Sequence, residues 1–196
     1  MPPAMPPSTG PMTMVTQRQP PRGAIIDASS AILLTRAGLM DACCAALPLC
    51  MTPTVLDEVT VCGRPGAARL RRLAGTPTGF TLLADPSGGG PAAPGAEMQR
   101  LHRGERDTLL HYFNGVARFV IIDDGRGIQL CRRYAVPHIN ALLCPRLLVF
   151  CGRIGADTAE HFFRRISALG RYSPDVVARA ADLSPAALAF FLAGCR

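Results

Sequence analysis

Lysine and tryptophan are both absent from this 196-residue chain. Without lysine there is no Gly-x-x-x-x-Gly-Lys loop, which excludes P-loop NTPase chemistry. Every one of the 21 basic residues is arginine, against only 14 acids, for a formal charge of +7. No uncharged apolar stretch reaches the roughly 18 residues that span a bilayer. Ile139 to Cys151 comes nearest, and Pro145 and Arg146 interrupt it. The eight cysteines (Cys43, Cys44, Cys50, Cys62, Cys131, Cys144, Cys151 and Cys195) form no C-x-x-C pair and no metal-finger spacing. Most lie in apolar runs, where a free thiol behaves as a small hydrophobe, so reduced, buried cysteines and a cytoplasmic location are expected. The four histidines (His102, His111, His138, His161) share no face and offer no histidine metal site.

What is present suits one globular domain with an aliphatic core: 48% of residues are hydrophobic and 6% aromatic. Residues 1–22, rich in Pro and Met and without a secretory apolar core, read as a disordered tail. The globular part runs from 23 to 183, and 184–196 read as a C-terminal helix packed on the domain or extending it. Guanidinium groups suit phosphate, so a polyanionic partner is one reading of the basic charge, beside a merely solvated surface.

Strand-like and helix-like segments alternate along the chain. Strands are expected at Ala24–Asp27, Leu49–Met51, Phe80–Leu83, Arg118–Ile122 and Val136–Ile139. Helices are expected between them, including Thr54–Val61 with Thr52 as N-cap and Pro53 at the first position. Further helices cover Ala67–Ala74, Gly104–Val116, Gly127–Tyr134 and Asn140–Phe150, and Ser173-Pro174 and Ser184-Pro185 start two more. Residues 85–96 read as a Gly/Pro loop. The fold class is therefore α/β, a three-layer sandwich around a short, mostly parallel sheet.

The scarce acids fall where such a sheet builds its site. Asp27 closes the first strand and Asp123-Asp124 the fourth, and ligands of open α/β sheets bind beyond the carboxyl ends of the strands. On the helix 54–61, Glu58 borders the apolar stripe of Val55, Leu56 and Val59, while Asp57 points away. On the helix after Gly104, Glu105 and Asp107 lie one turn before Leu109 and Leu110, in a buried row continued by Phe113 and Val116. Carboxylates gathered together repel and shift upward in pKa unless a cation neutralises them, and hard cations such as Mg²⁺ take oxygen ligands plus substrate phosphate. Each acid also has an ordinary explanation: a helix cap for Asp27, a solvated position for Glu58, a dipole complement for Glu105 and Asp107, a turn for Asp123-Asp124.

Taken in order, Ile25-Ile26-Asp27-Ala28-Ser29-Ser30, Thr52-Pro53-Thr54-Val55-Leu56-Asp57-Glu58-Val59, Gly63-Arg64-Pro65-Gly66, Gly104-Glu105-Arg106-Asp107 and Ile121-Ile122-Asp123-Asp124-Gly125-Arg126 resemble the PIN-domain ribonucleases. The resemblance covers about residues 23–183. It implies a Mg²⁺- or Mn²⁺-dependent endoribonuclease, often the toxin of a toxin–antitoxin pair. Asp27, Glu58, Asp107 and Asp123 would be the catalytic acids, with Glu105 and Asp124 completing the metal-binding set. Ser29 would support the first acid, and Asn140 stands where the family often has Thr or Gly. The 85–96 loop and the proline-rich tail depart from the family's pattern.

Two other strand-end chemistries fail on single residues. A receiver domain needs a lysine, and a haloacid-dehalogenase-type phosphatase needs an Asp where Ser29 stands. The alternative from another class is a PIN-like module that binds RNA or a protein without cleaving. Arg69, Arg71 and Arg72 on one helix, with Arg64 and Arg103 near the expected rim, are candidate RNA-phosphate contacts. A protein antitoxin covering the crevice would follow from the toxin reading. The apolar helix Ala186–Ala193 would serve either the core or a homodimer surface.

Overall fold

In a computed structural model of the chain, residues 23–86 and 93–192 are described. The expected tail 1–22, residues 87–92 of the expected loop, and residues 193–196 lie outside them. Five parallel strands form one sheet in the order β3-β2-β1-β4-β5. They are β1 (Ala24–Ile26), β2 (Leu49–Met51), β3 (Thr81–Leu82), β4 (Phe119–Ile121) and β5 (His138–Ile139). The sheet is parallel throughout rather than mostly so.

The two faces of the sheet follow from strand alternation. Ala24, Ile26, Leu49, Met51, Phe119 and Ile121 point into one core, and Ile25, Cys50, Val120 and Ile122 into a second on the opposite face. The first core is covered by α1 (Ala28–Ala37), α2 (Met40–Ala46), α3 (Pro53–Val59) and α4 (Ala67–Leu73). After α5, α6 and α7 on the opposite face, α8 (Cys144–Phe150), α9 (Ala156–Leu169), α10 (Pro174–Asp182) and α11 (Pro185–Leu192) complete the first cover. The second core is covered by α5 (Gly95–Met98), α6 (Arg103–Phe113) and α7 (Gly125–Arg133). The result is three layers, with β1 fully buried at the centre.

Several expectations shift at their edges. The helix after Thr52 stops at Val59 rather than Val61, because the chain turns at Thr60 and Gly63 takes a left-handed conformation (φ 83°). The expected 85–96 loop gives way at Gly95 to α5, whose Met98 is buried in the second core. The buried row of α6 is Gly104, Asp107, Thr108, Leu109 and His111, with Leu110, Phe113 and Val116 only half-buried. His111 is turned inward because its Nε2 bonds the Ala84 carbonyl at 3.0 Å. The expected helix from Asn140 begins as a 3₁₀ turn, Ala141–Leu143, before α8 starts at Cys144 with Pro145 in its first turn. At the C-terminus, Leu188 of α11 is fully buried in the first core, so that helix packs on the domain.

Among the described cysteines, Cys43, Cys44, Cys50, Cys131 and Cys144 are free and buried, while Cys62 is free and exposed. Cys151 is disulfide-bonded, which corrects the expectation of reduced thiols throughout. No helix among the described residues is long and apolar enough to cross a membrane.

Candidate functional site

The chain walks from β1 outward to β2 and β3, then crosses back to place β4 on the other side of β1. That reversal makes the gap between β1 and β4 the topological switch point, where open α/β sheets bind ligands. Asp27 and Asp123 sit at its rim. The Asp27 amide still donates to the Ile121 carbonyl at 3.0 Å, so the ladder carries this carboxylate to the strand's end before α1 begins.

Asp27 does two things at once. Its Oδ1 caps α1 by accepting from the Ser30 amide at 2.8 Å, and its Oδ2 accepts from the Ser29 hydroxyl. The capping explanation is thus correct and does not compete with a site role. The Ser30 hydroxyl turns the other way and donates to Asp123 Oδ2 at 2.7 Å. Asp123 Oδ2 also accepts from the Ala141 amide at 2.9 Å, and Oδ1 accepts from the Tyr172 hydroxyl. One serine therefore ties the two strand-end carboxylates together.

Burial raises the Asp27 carboxyl to about 6, with the Asp123 charge adding to the rise against the lowering effect of the hydroxyl and amide donors. Burial also raises Asp123, opposed by Tyr172, the Ala141 amide and Ser30. Glu105 rises to about 7, through burial first and the charge of Asp124 next, with Asp27 contributing. One of its oxygens, Oε2, is buried and has no hydrogen-bond partner. The Tyr172 hydroxyl is pushed up by burial and by the Asp123 carboxylate.

The helix-borne acids are held differently. Asp107 Oδ2 accepts from the Thr54 hydroxyl at 2.7 Å, joining α6 to α3. The guanidinium groups of Arg103 and Arg106 stand 3.8 and 3.7 Å from its oxygens. Glu58 Oε1 accepts from the Gly104 amide at 3.2 Å. A Cβ at Gly104 would lie 2.8 Å from both Glu58 oxygens, so any larger residue there displaces the Glu58 carboxylate. Asp57 is exposed, as its helical position implies. Asp124 caps α7, with Oδ1 accepting from the Arg126 and Gly127 amides at 2.8 and 3.1 Å.

The expected acids thus all reach the carboxyl edge of the sheet or the helices beside it, but as two sets. Among the described residues, no group of three or more His, Cys, Asp or Glu stands close enough to hold a metal ion. Asp27, Asp123, Glu105 and Asp124 still fit a hard cation by their chemistry. All four are hard oxygen donors; burial first, and neighbouring acid charge after it, hold protons on Asp27 and Glu105, and Glu105 Oε2 has no donor of its own. Asp107 fits less well, because two arginines already stand beside it.

The expected supports are partly reassigned. Ser29 does bond Asp27. Asn140 does not reach Asp123 with its side chain, whose Oδ1 is buried without a partner; the following amide, of Ala141, makes the contact. Sequence reasoning missed the bridging role of Ser30 and the roles of Thr54 and Tyr172. Ser30 stood inside a quoted motif, whereas Tyr172 gave no local signal, being 49 residues from Asp123.

Of the expected RNA-binding arginines, Arg69 is paired with Asp41 and Arg64 donates to the Glu58 carbonyl at 3.0 Å. Arg71 donates to the Thr60 carbonyl, and Arg72 is exposed. Arg64 and Arg103 stand beside two of the acids, Glu58 and Asp107 respectively. No protein-family model, curated protein or solved structure matches the chain.

Proposed function

We propose that the chain is a metal-dependent endoribonuclease of the PIN type. The observation that carries this reading is the pair Asp27 and Asp123, bridged by Ser30 at the switch point of the sheet. Asp27, Asp123 and the unpartnered Glu105 oxygen would hold Mg²⁺ or Mn²⁺, with Asp124 beside them. When bound, the ion supplies Lewis-acid stabilisation of a phosphodiester and an activated water.

The protein's own part is positional. Ser29, Ser30, Ala141 and Tyr172 orient the two strand-end carboxylates, so their lone pairs are fixed before any ligand arrives. Thr54 and the two arginines fix Asp107, and the Gly104 amide fixes Glu58, at the substrate side of the crevice. Arg64, Arg72 and Arg103 are available to phosphates near that rim, with Arg69 held by Asp41. A toxin role, an antitoxin segment covering the crevice, a homodimer and a cytoplasmic location belong to the same reading and rest on the resemblance.

The test incubates purified protein with single-stranded and structured RNA in Mn²⁺, in Mg²⁺ and in EDTA, beside Asp27→Asn and Asp123→Asn. Metal-dependent cleavage lost in both variants is the expected result. Cleavage that persists in EDTA or in both variants sinks the reading. The second reading, a PIN-like module that binds without cleaving, is favoured by the arginines beside Asp107. It predicts RNA retention by the wild type with no cleavage in either metal.

A further inference from the structure

Beside the acidic crevice, α5 with the turn after it and α7 line an open cavity of about 650 Å³. Its wall carries Glu97, Arg100, Arg126, Gln129, Arg132 and Arg133. Arg126, Gln129 and Arg133 recur at i, i+3 and i+7, one stripe of α7. Four guanidiniums converge on one space with a single carboxylate among them. Like charges gathered this way repel, and a bound polyanion relieves that repulsion.

The one carboxylate is already committed. Glu97 accepts from Arg133 and from the Tyr134 hydroxyl, the latter at 2.9 Å. Arg100, Arg126 and Arg132 are exposed and make no ion pair among the described residues. The cavity also begins where the crevice ends. Asp124, the cap of α7, bonds the amide of Arg126, whose side chain lines the cavity. From Arg126 to Arg133 the helix advances about 10 Å, so that stripe leads away from the Asp124 cap.

We propose that this arginine-lined cavity binds the backbone phosphates of the single-stranded RNA whose scissile bond lies at the Asp27–Asp123 crevice. The inference rests on the nuclease reading for the identity of its ligand. It moves the main phosphate track from the α4 arginines to the α5–α7 face. Phosphate contacts of this kind give affinity and direction rather than sequence selection.

The experiment measures fluorescence anisotropy of a labelled single-stranded RNA oligonucleotide with the full chain in EDTA, across a salt series. Arg100→Gln, Arg126→Gln and Arg132→Gln are combined in one variant, with Arg69→Gln and Arg72→Gln combined as the comparison. Loss of three phosphate contacts should weaken binding at least about tenfold near 0.1 M salt and flatten the log–log salt slope by about 2. The α4 variant should change binding less than about threefold, because Arg69 is held by Asp41.

Glu97→Gln, which frees Arg133, should tighten binding, an outcome that misfolding cannot imitate. Unchanged affinity in the triple variant, or unchanged affinity in Glu97→Gln, overturns the proposal. So does displacement of the RNA by equimolar pyrophosphate, which would make the cavity a site for a small polyanion. Cleavage in Mn²⁺ is scored separately. Lost binding with no cleavage keeps the cavity and removes the nuclease, and cleavage with unchanged binding does the reverse.

Discussion

The acidic crevice has two halves, and they solve the problem of buried charge in opposite ways. The strand-end half, Asp27 and Asp123, is supplied with neutral donors only: three hydroxyls and two backbone amides. The helix-borne half has a cation beside it, since Arg103 and Arg106 flank Asp107. Neutral donors orient a carboxylate and leave its charge in place, whereas an arginine cancels that charge. The strand-end half, together with Glu105, is therefore where a metal ion would gain most, and the helix half is where phosphate would compete for arginines.

The largest effect should come from removing the strand-end charges. Asp27→Asn or Asp123→Asn should lower metal-dependent RNA cleavage about a hundredfold or more, because each removes several kcal/mol of charge stabilisation. Asp107→Asn should cost nearer tenfold if the halves differ as described. Equal losses in single-turnover cleavage would erase the distinction between them.

The next effect is on stability and has a definite sign. Asp27 in the fold has a carboxyl raised to about 6 from the usual 3.8, so the folded state favours its protonated form. Its contribution is fully present below about pH 4 and is lost as pH rises through about 6, a loss of about 3 kcal/mol. Glu105 acts in the same direction toward about pH 7. Thermal unfolding in EDTA should therefore show Tm falling from pH 5 to pH 8 at constant salt. Asp27→Asn should flatten that slope, and saturating Mn²⁺ at pH 8 should raise Tm. A Tm that rises over this range in EDTA contradicts the assignment.

Smaller effects separate the halves by their supports. Tyr172→Phe leaves half-buried Asp123 short of a donor and should cost about 1–3 kcal/mol in urea unfolding. Thr54→Val, beside an Asp107 that keeps its arginines, should cost about 1 kcal/mol. Smallest of all, Gly104→Ala should leave stability within about 1 kcal/mol, since only the flexible end of Glu58 must move and a helical glycine is replaced. Cleavage should still fall severalfold, because Glu58 is displaced.

What could be read in advance divides along the same line. β2 is found at Leu49–Met51 as its apolar run suggests, and Thr52 caps α3 through the Val55 amide at 3.1 Å, because both depend on neighbouring residues. The acids at strand ends and first helical turns were legible for that reason too. Ser30 as a bridge and Tyr172 as a donor were not, since each depends on pairing across the fold. α5 was hidden by glycine and proline around it, though Met98 buries as in any core helix. The arginine cavity was unreadable because its two walls come from segments about thirty residues apart in the sequence.

The Ser30–Asp123 hydrogen bond spans 93 residues, and Tyr172 closes the same carboxylate from 49 residues further on. During synthesis, β1 waits for β4 to be made, and the pocket around Asp123 waits again for Tyr172. Such non-local closure comes late in folding. A partly made chain therefore lacks the contacts that close Asp123 until both segments have emerged, so the strand-end pair is completed only once most of the chain exists. The order of the strands, with Tyr172 beyond the last of them, thus sets when the carboxylate pair is closed.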